Sequence, residues 1–324
     1  MNSPLISIIT PCFNAAPYIK DAIESVLSQT YRNFEFILVN DGSLDNTEQI
    51  IQSYSDERIR YFKQPNQGQC KASNFGLSKS KGSYIKFFDA DDLMNSKHLE
   101  EQLKKINGCS EAIVSCAWAR FYDGKPESAI FIPETVWMSM DPMTWIKKAL
   151  SQKSDMMGAC IWLIPREILL KAGVWNEKLS LNNDFEFSMR LILNSKYIYF
   201  ADEAKLFYRS GIKSLSTSKS HQSYMDAFVA TKLGCGYLLG IANSSDTRLL
   251  CANRYQQWIY RIFPLYPDLV NLFQDEINEL GGSNIKMEGG FIFKTLSYIC
   301  GWRSIKKLKI LLEHKIGYKK LPFN

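Results

Sequence analysis

Over the first ninety residues, short apolar runs alternate with stretches of helical period, and that rhythm leaves the chain few architectures. Leu5–Thr10, Phe34–Val39, Ile59–Phe62 and Tyr84–Phe88 read as continuous runs rather than as alternations of apolar and polar residues. Between them, Ala15–Gln29 carries Ile19, Ala22, Ile23, Val26 and Leu27 at helical spacing. Asp45 or Asn46 is placed to cap a second helix reaching about Tyr54, and Gln69–Ser80 reads as a third, closed by Lys81 and Gly82. Strands that are apolar along their length are covered on both faces, so the expectation is a parallel sheet sandwiched by helices. Ligands of such sheets bind beyond the carboxyl ends of the strands. Here those ends carry Thr10 to Asn14, Asn40 to Ser43 and Asp89 to Asp92, which brings the polar chemistry to one edge.

Further on, the periodicity predicts a helix over Ser96–Ile106, strands at Ala112–Tyr122 and Ile130–Ile132, and a helix over Met143–Ser151. A strand at Cys160–Ile164 leads into a helix over Arg166–Ala172. Another helix spans Asn183–Leu193, and strands follow at Tyr197–Ala201 and Ala204–Tyr208. After about Ser220 the pattern is helical, with no apolar strand runs and no clustered Asp. The expected division is an α/β domain over residues 1–220 and a mostly helical region over 221–324.

Apolar residues at 46% and charged residues at 22% of 324 suit a globular chain. The opening residues lack the basic start of a signal peptide, and no run approaches the roughly 18 apolar residues of a membrane-spanning helix. Eight Cys without any Cys-x-x-Cys pair, several inside apolar runs, read as reduced core thiols, which places the protein in the cytoplasm. His98, His221 and His314 are far apart in sequence, so any metal is expected on oxygen ligands.

Each polar cluster has two readings. Asp89, Asp91 and Asp92 after a strand can share a hard cation with a diphosphate, or Asp92 can simply cap the next helix. Asp41 in Asn40-Asp41-Gly42-Ser43 can accept from a nucleobase N–H, or the run can be a tight turn with an Asx bond. Lys71, near the start of a helix after Asn66-Gln67-Gly68, can meet a phosphate or be solvated. Asp184 at a helix start can be a general base or a favourable first-turn acid.

In order and spacing, Pro4 to Asn14, Ser25 to Tyr31, Val39 to Ser43, Asn66 to Gly68, Phe87 to Asp92 and Asn183-Asp184 together resemble the family 2 glycosyltransferases with the GT-A fold. The likeness runs from about Pro4 to Ser216. It implies that Pro11 and Phe13 line a base pocket, with Asp41 pairing to a uracil or similar base. Asp89 would lie near ribose and diphosphate, Asp91 would bind Mn²⁺ or Mg²⁺, and Asp184 would be the catalytic base. Arg209, in the run from Tyr208 to Ser216, would belong to a loop closing over the diphosphate. The implied partners are a nucleotide-sugar donor, a UDP-sugar by expectation, and a glycan or lipid-linked acceptor.

Three positions depart from the family pattern: Asn183 where an acid is usual, Gly211 where His often stands, and Ser73 where Arg is usual, which shifts a phosphate contact to Lys71. The Gln-x-x-Arg-Trp of processive members is missing, so one sugar per encounter is expected, as in assembly of a bacterial surface polysaccharide or lipopolysaccharide. Two rivals stand beside this reading: a sugar-phosphate nucleotidyltransferase, whose Gly-rich start is absent here, and a non-catalytic sugar-nucleotide-binding protein. Finally, residues 302–320 hold seven Lys or Arg against the single acid Glu313, which matches the net charge of +6 of the entire chain. With Trp302, Ile305, Leu308, Leu312 and Ile316 at helical spacing, this reads as a helix for an anionic membrane surface or as a terminal helix packed on the domain. The remainder is neutral on balance, and no nucleic-acid partner is expected.

Overall fold

A computed structural model describes residues 3–151, 156–212 and 218–316. The first half alternates as expected: β1 (Ile6–Cys12), α1 (Ile19–Leu27), β2 (Phe34–Asn40), α2 (Thr47–Gln52), β3 (Ile59–Lys63), α3 (Gln69–Lys79) and β4 (Tyr84–Phe87). A two-residue β5 (Leu93–Met94), α4 (His98–Ile106), β6 (Ala112–Phe121) and α5 (Pro142–Ser151) follow. Next come β7 (Ile164–Pro165), α6 (Arg166–Ala172), α7 (Asn183–Leu193) and β8 (Tyr197–Arg209). The main sheet has the order β3-β2-β1-β4-β7, parallel except for β7. Three further strands, ordered β5-β8-β6, form a second sheet. The two meet at an antiparallel bridge between Val114 and Leu163.

The central strands β1 and β2 are buried almost throughout, which is why their sequences are apolar on both faces. Helix α3 lies close on them because Gly76 has no side chain: a Cβ there would come within 2.6 Å of Ile9 Cγ2 and 3.1 Å of Val39 Cγ2. In β4, Lys86 is fully buried, donating to the Cys160 carbonyl (2.9 Å) and to Gln102 Oε1 (3.2 Å), and burial lowers its pKa.

Four expected strands differ in the structure. Cys160–Ile164 is mostly a short helical turn, Ala159–Ile161, followed by β7. Lys86 takes the Cys160 carbonyl and Gln102 takes those of Ile161 and Val114, so side chains replace a strand partner. Ile130–Ile132 has no regular structure, and Ile130 and Ile132 are exposed. The two late strands are one, β8, whose pairing to β6 jumps from Cys116–Ala201 to Ala117–Lys205, an irregularity that the Ala201-Asp202-Glu203-Ala204 run accommodates.

Beyond residue 220 the structure is helical, as expected: α8 (His221–Ile241), α9 (Ser245–Ile262), α10 (Pro267–Glu279), α11 (Phe291–Cys300) and α12 (Trp302–Ile316). Ser220 caps α8 by accepting from the Ser223 N–H, and Ser244 with Thr247 forms a capping box at α9. A single cluster of buried residues spans the strands, α7 and the helices through Ile277, so both halves share one core. Gly234 on α8 leaves room for α7: a Cβ there would stand 2.4 Å from Phe185 Cε1. Gly236 and Gly240 on the same helix face open space. All three gain about 1 kcal/mol of helix propensity as Ala, whereas overpacking a filled core costs roughly 1–3 kcal/mol. Gly234→Ala is therefore expected to lower the urea midpoint and Gly236→Ala to raise it, measured on the same intact chain.

Candidate functional site

The loops after β1, β2 and β4 meet at the carboxyl edge of the main sheet. Asn14 donates to Ser43 Oγ through its N–H (3.0 Å) and accepts from the Leu44 N–H (2.8 Å), which ties the first two loops together. Phe13 stands 48% exposed at this edge, beside a half-buried Pro11. Asn40 Oδ1 accepts from the Ser43 N–H, the Asx bond of a tight turn. Asp41 is only 3% exposed. Its carboxylate accepts from the Gln67 N–H (2.9 Å), the Gly68 N–H (2.8 Å) and Gln64 Nε2 (2.7 Å). Thus Asp41, expected at a nucleobase, fixes the loop of residues 64–68. Lys71 sits half-buried in the first turn of α3, which that loop leads into.

After β4, Asp92 is fully buried, so it does not cap a helix; α4 starts only at His98. Asp92 Oδ1 accepts from the Arg209 backbone N–H (2.8 Å), while Oδ2 has no partner among the described residues. Arg209 Nε donates to the Asp91 carbonyl (2.7 Å) and Nη2 to Asp21 Oδ2 (3.1 Å). Its guanidinium lies over Tyr18 at 5.0 Å and Phe121 at 4.6 Å. The expected diphosphate contact is thus placed as a strut that clamps the acidic loop to the end of β8. Ser214 and Ser216 of the expected closing loop lie outside the described residues.

Asp184 is the second residue of α7, after Asn182, whose backbone is left-handed (φ 64°). Its Oδ1 accepts from the Ala159 N–H at 2.8 Å. Asn183, in place of an acid, is 5% exposed and donates to Cys70 Sγ (3.2 Å) and Gln69 Oε1 (3.4 Å). Gln69 in turn donates to Asp89 Oδ1 at 3.4 Å, so one glutamine bridges the two acidic loops. Asp89 and Asp184 line one cavity of about 330 Å³ with Arg120, Cys160, Tyr208, Arg254 and Arg261.

Burial raises the pKa of Asp89 well above the usual carboxylate range, reinforced by the charges of Asp184 and Asp91. Burial does the same to Asp92, with Asp91 and Asp89 adding to it. It also raises Asp91 and Asp184, against the Arg209 charge in the first case and the Ala159 N–H in the second. The residues fit a divalent cation. Ligand atoms of Asp89, Asp92 and Cys160 lie within 4.8 Å of one another, and the carboxylates are hard oxygen donors of the kind Mn²⁺ and Mg²⁺ take. Asp91, the expected ligand, lies beside this group rather than in it. Cys160, whose thiol burial holds strongly protonated, is the member that no sequence reading includes; it is far from the acidic run in sequence and gives no local signal.

The family profile described as Glycosyl transferase family 2 matches residues 7–173. An uncharacterized glycosyltransferase of Rickettsia typhi is 32% identical over 238 residues, covering 73% of this chain and 72% of that protein. The uncharacterized glycosyltransferase EpsJ of Bacillus subtilis is 29% identical over 66% of this chain and 63% of its own length. Among solved structures, S. aureus TarS 1-349 in complex with UDP-GlcNAc superposes with a TM-score of 0.67 at 18% identity, over 85% of this chain and 80% of that one. The fold is thus that of a GT-A type transferase. The chain belongs to glycosyl transferase family 2 and is a glycosyltransferase.

The raised pKa of Asp92 has a measurable consequence. The native state holds a proton that the unfolded chain has lost, so the stability linked to it is complete below the unfolded pKa and disappears as pH rises through the folded value. Asparagine at 92 keeps an acceptor for the Arg209 N–H and loses nothing with pH. In chelator, Asp92→Asn is expected to melt above wild type at about pH 8, by roughly 1–2 °C per kcal/mol relieved. The gap should close toward about pH 4, where a free aspartate titrates. Thermal midpoints of both proteins across that range check it.

Proposed function

We propose that this chain transfers a sugar from a UDP-sugar to an acceptor hydroxyl by one inverting displacement, with Asp184 as general base and Mn²⁺ or Mg²⁺ bound by Asp91 at the edge of the Asp89–Asp92–Cys160 group, Asp89 lying toward ribose and diphosphate. The observation that carries the proposal is the placement of Asp89 and Asp184 in one cavity at the carboxyl edge of the sheet. The TarS neighbour solved with UDP-GlcNAc supports a uridine nucleotide as donor. On this reading Pro11 and Phe13 flank the base, the loop anchored by Asp41 closes the nucleotide end, and Lys71 meets the diphosphate. The cation would neutralise charge on the leaving diphosphate. Asp184 is pinned through one oxygen by the Ala159 N–H; its other oxygen takes the acceptor proton. Burial makes it a stronger base than a surface aspartate. Gln69 and Asn183 keep the two carboxylates in register, and Arg209 positions the acidic loop. Transfer of one sugar per encounter, in assembly of a bacterial surface polysaccharide, completes the reading.

The test is a transfer assay with UDP-sugars. Asp184→Asn is expected to lower kcat by about a hundredfold or more while UDP binds with unchanged affinity. Chelator and Asp91→Ala should each abolish turnover. Full turnover in chelator removes the metal from the proposal, and a retained anomeric configuration in the product removes the single displacement.

We further propose that the C-terminal helices meet an anionic membrane. The expected stripe divides: Trp302 packs edge-on against Tyr260 and Phe263, and Ile305 is buried, so this end of α12 docks on α9. The side chains of Leu312 and Ile316 lie outside the described residues. What supports a membrane contact is a different set. Phe291, Tyr298 and Ile299 on α11 are 72–90% exposed, with Leu308 and Leu311 exposed on α12 among Arg303, Lys307 and Lys309. No helix among the described residues is long and apolar enough to cross a membrane. Co-sedimentation with vesicles rich in anionic lipid, weakening with salt and with Tyr298→Ser plus Ile299→Ser, is the expected result. No binding at low salt ends the idea.

A further inference from the structure

The sheet order separates the two sides of the site. β1 and β2, which carry Pro11, Phe13 and Asp41, lie on one side of β4; β7 lies on the other. The cavity that holds Asp89 and Asp184 is lined by Met157, Gly158 and Cys160, which lead toward β7, by the start of α7, and by one face of α9. None of the three nucleotide-end residues lines it. With the donor base at β1 and β2 and the general base at Asp184, the β7 side is where an acceptor approaches.

That side is cationic. On α9, Arg254, Gln257, Trp258 and Arg261 recur at the spacing of a single helix face and all line the cavity. Arg254 is 8% exposed and held in place: Nη1 donates to Gln257 Oε1 (3.1 Å), Nη2 to Asn182 Oδ1 (3.2 Å), and the group lies 4.9 Å over Phe185. Arg261 lies 5.1 Å over Trp258. From β6, Arg120 lies 5.1 Å over Tyr208 and donates to Ser210 Oγ (2.9 Å). Trp258, 5% exposed, lines the same cavity. Three guanidinium groups and two carboxylates thus line one cavity. Rigid guanidinium forks are the side chains that recognise phosphate and carboxylate.

We infer that the acceptor is an anionic sugar, carrying a phosphate or a carboxylate that seats against Arg254 and Arg261 while its hydroxyl meets Asp184. This rests on the proposed assignment of Asp184 to the acceptor side. It separates acceptor choice from the donor end: the β1–β2 loops select the nucleotide, and α9 selects the charge of the acceptor.

The test uses the full chain saturated with UDP, so that the donor site is filled. Glucose 1-phosphate, glucuronate and glucose are titrated by calorimetry. One of the two anionic sugars is expected to bind at least about tenfold more tightly than glucose, the size of a charge-assisted hydrogen bond; which one it is distinguishes a phosphate from a carboxylate acceptor. Arg261→Gln, at an exposed position, should abolish that preference with UDP affinity unchanged. Arg120→Gln is the second variant, should the first fail to fold. The inference is overturned by equal affinity for all three sugars, absence of binding included, or by a preference that survives in both variants. It is also overturned if Arg261→Gln weakens UDP instead, which would make these arginines donor contacts. Should wild type bind no UDP, the nucleotide reading falls by itself, and the three sugars are compared on the free protein.

Discussion

The site depends on one cross-link, the clamp between Arg209 and the acidic loop after β4. Asp92 receives the Arg209 N–H and the Asp91 carbonyl receives its guanidinium, so the end of β8 in the second sheet is fastened to the end of β4 in the first. Without that fastening, carboxylates this close and this buried would repel one another out of place. The positive charge at Arg209 is one compensation visible in the structure; burial acts against the charged forms throughout. Carboxylates whose pKa values are raised together in this way are typical of groups that serve a cation or a reacting hydroxyl.

Much of the architecture was legible because a single physical rule governs it. Strands buried on both faces cannot alternate, and β1 and β2 show their position in the sheet through sequence alone. The edge that carries the chemistry followed from the same rule, since parallel strands bring their carboxyl ends together. Asp89, Asp91 and Asp184 were singled out from local runs, and the structure brings Asp89 and Asp184 to one cavity.

What the sequence hid was long-range. The partners that end the Cys160–Ile164 run as a strand are Lys86 and Gln102, more than fifty residues earlier. Cys160 enters the acidic group from a segment with no polar signature, and Gln69 is visible as a bridge only once α3 and α7 stand side by side. Arg209 and Asp41 illustrate the other difficulty. A motif shows which residue stands at a place; the hydrogen-bond partners that tie Asp41 and Arg209 to neighbouring loops are seen only in the structure. Arg254 and Arg261 fall in the helical region, where regular spacing marks core and cavity residues alike.

The bare contact of Gly234 with the Phe185 ring has a bearing on how chains of this kind diversify. Phe185 follows Asp184 directly, so the position of α8 is read out one residue from the group assigned as base. A helical half seated through that contact is not a module to be traded between relatives in order to graft a new acceptor preference. A chimera joined at the end of the α/β part would carry over a foreign surface against Phe185 and displace the neighbouring carboxylate. Recombination would succeed only with a junction ahead of α7, where the aromatic ring and the notch that receives it travel together.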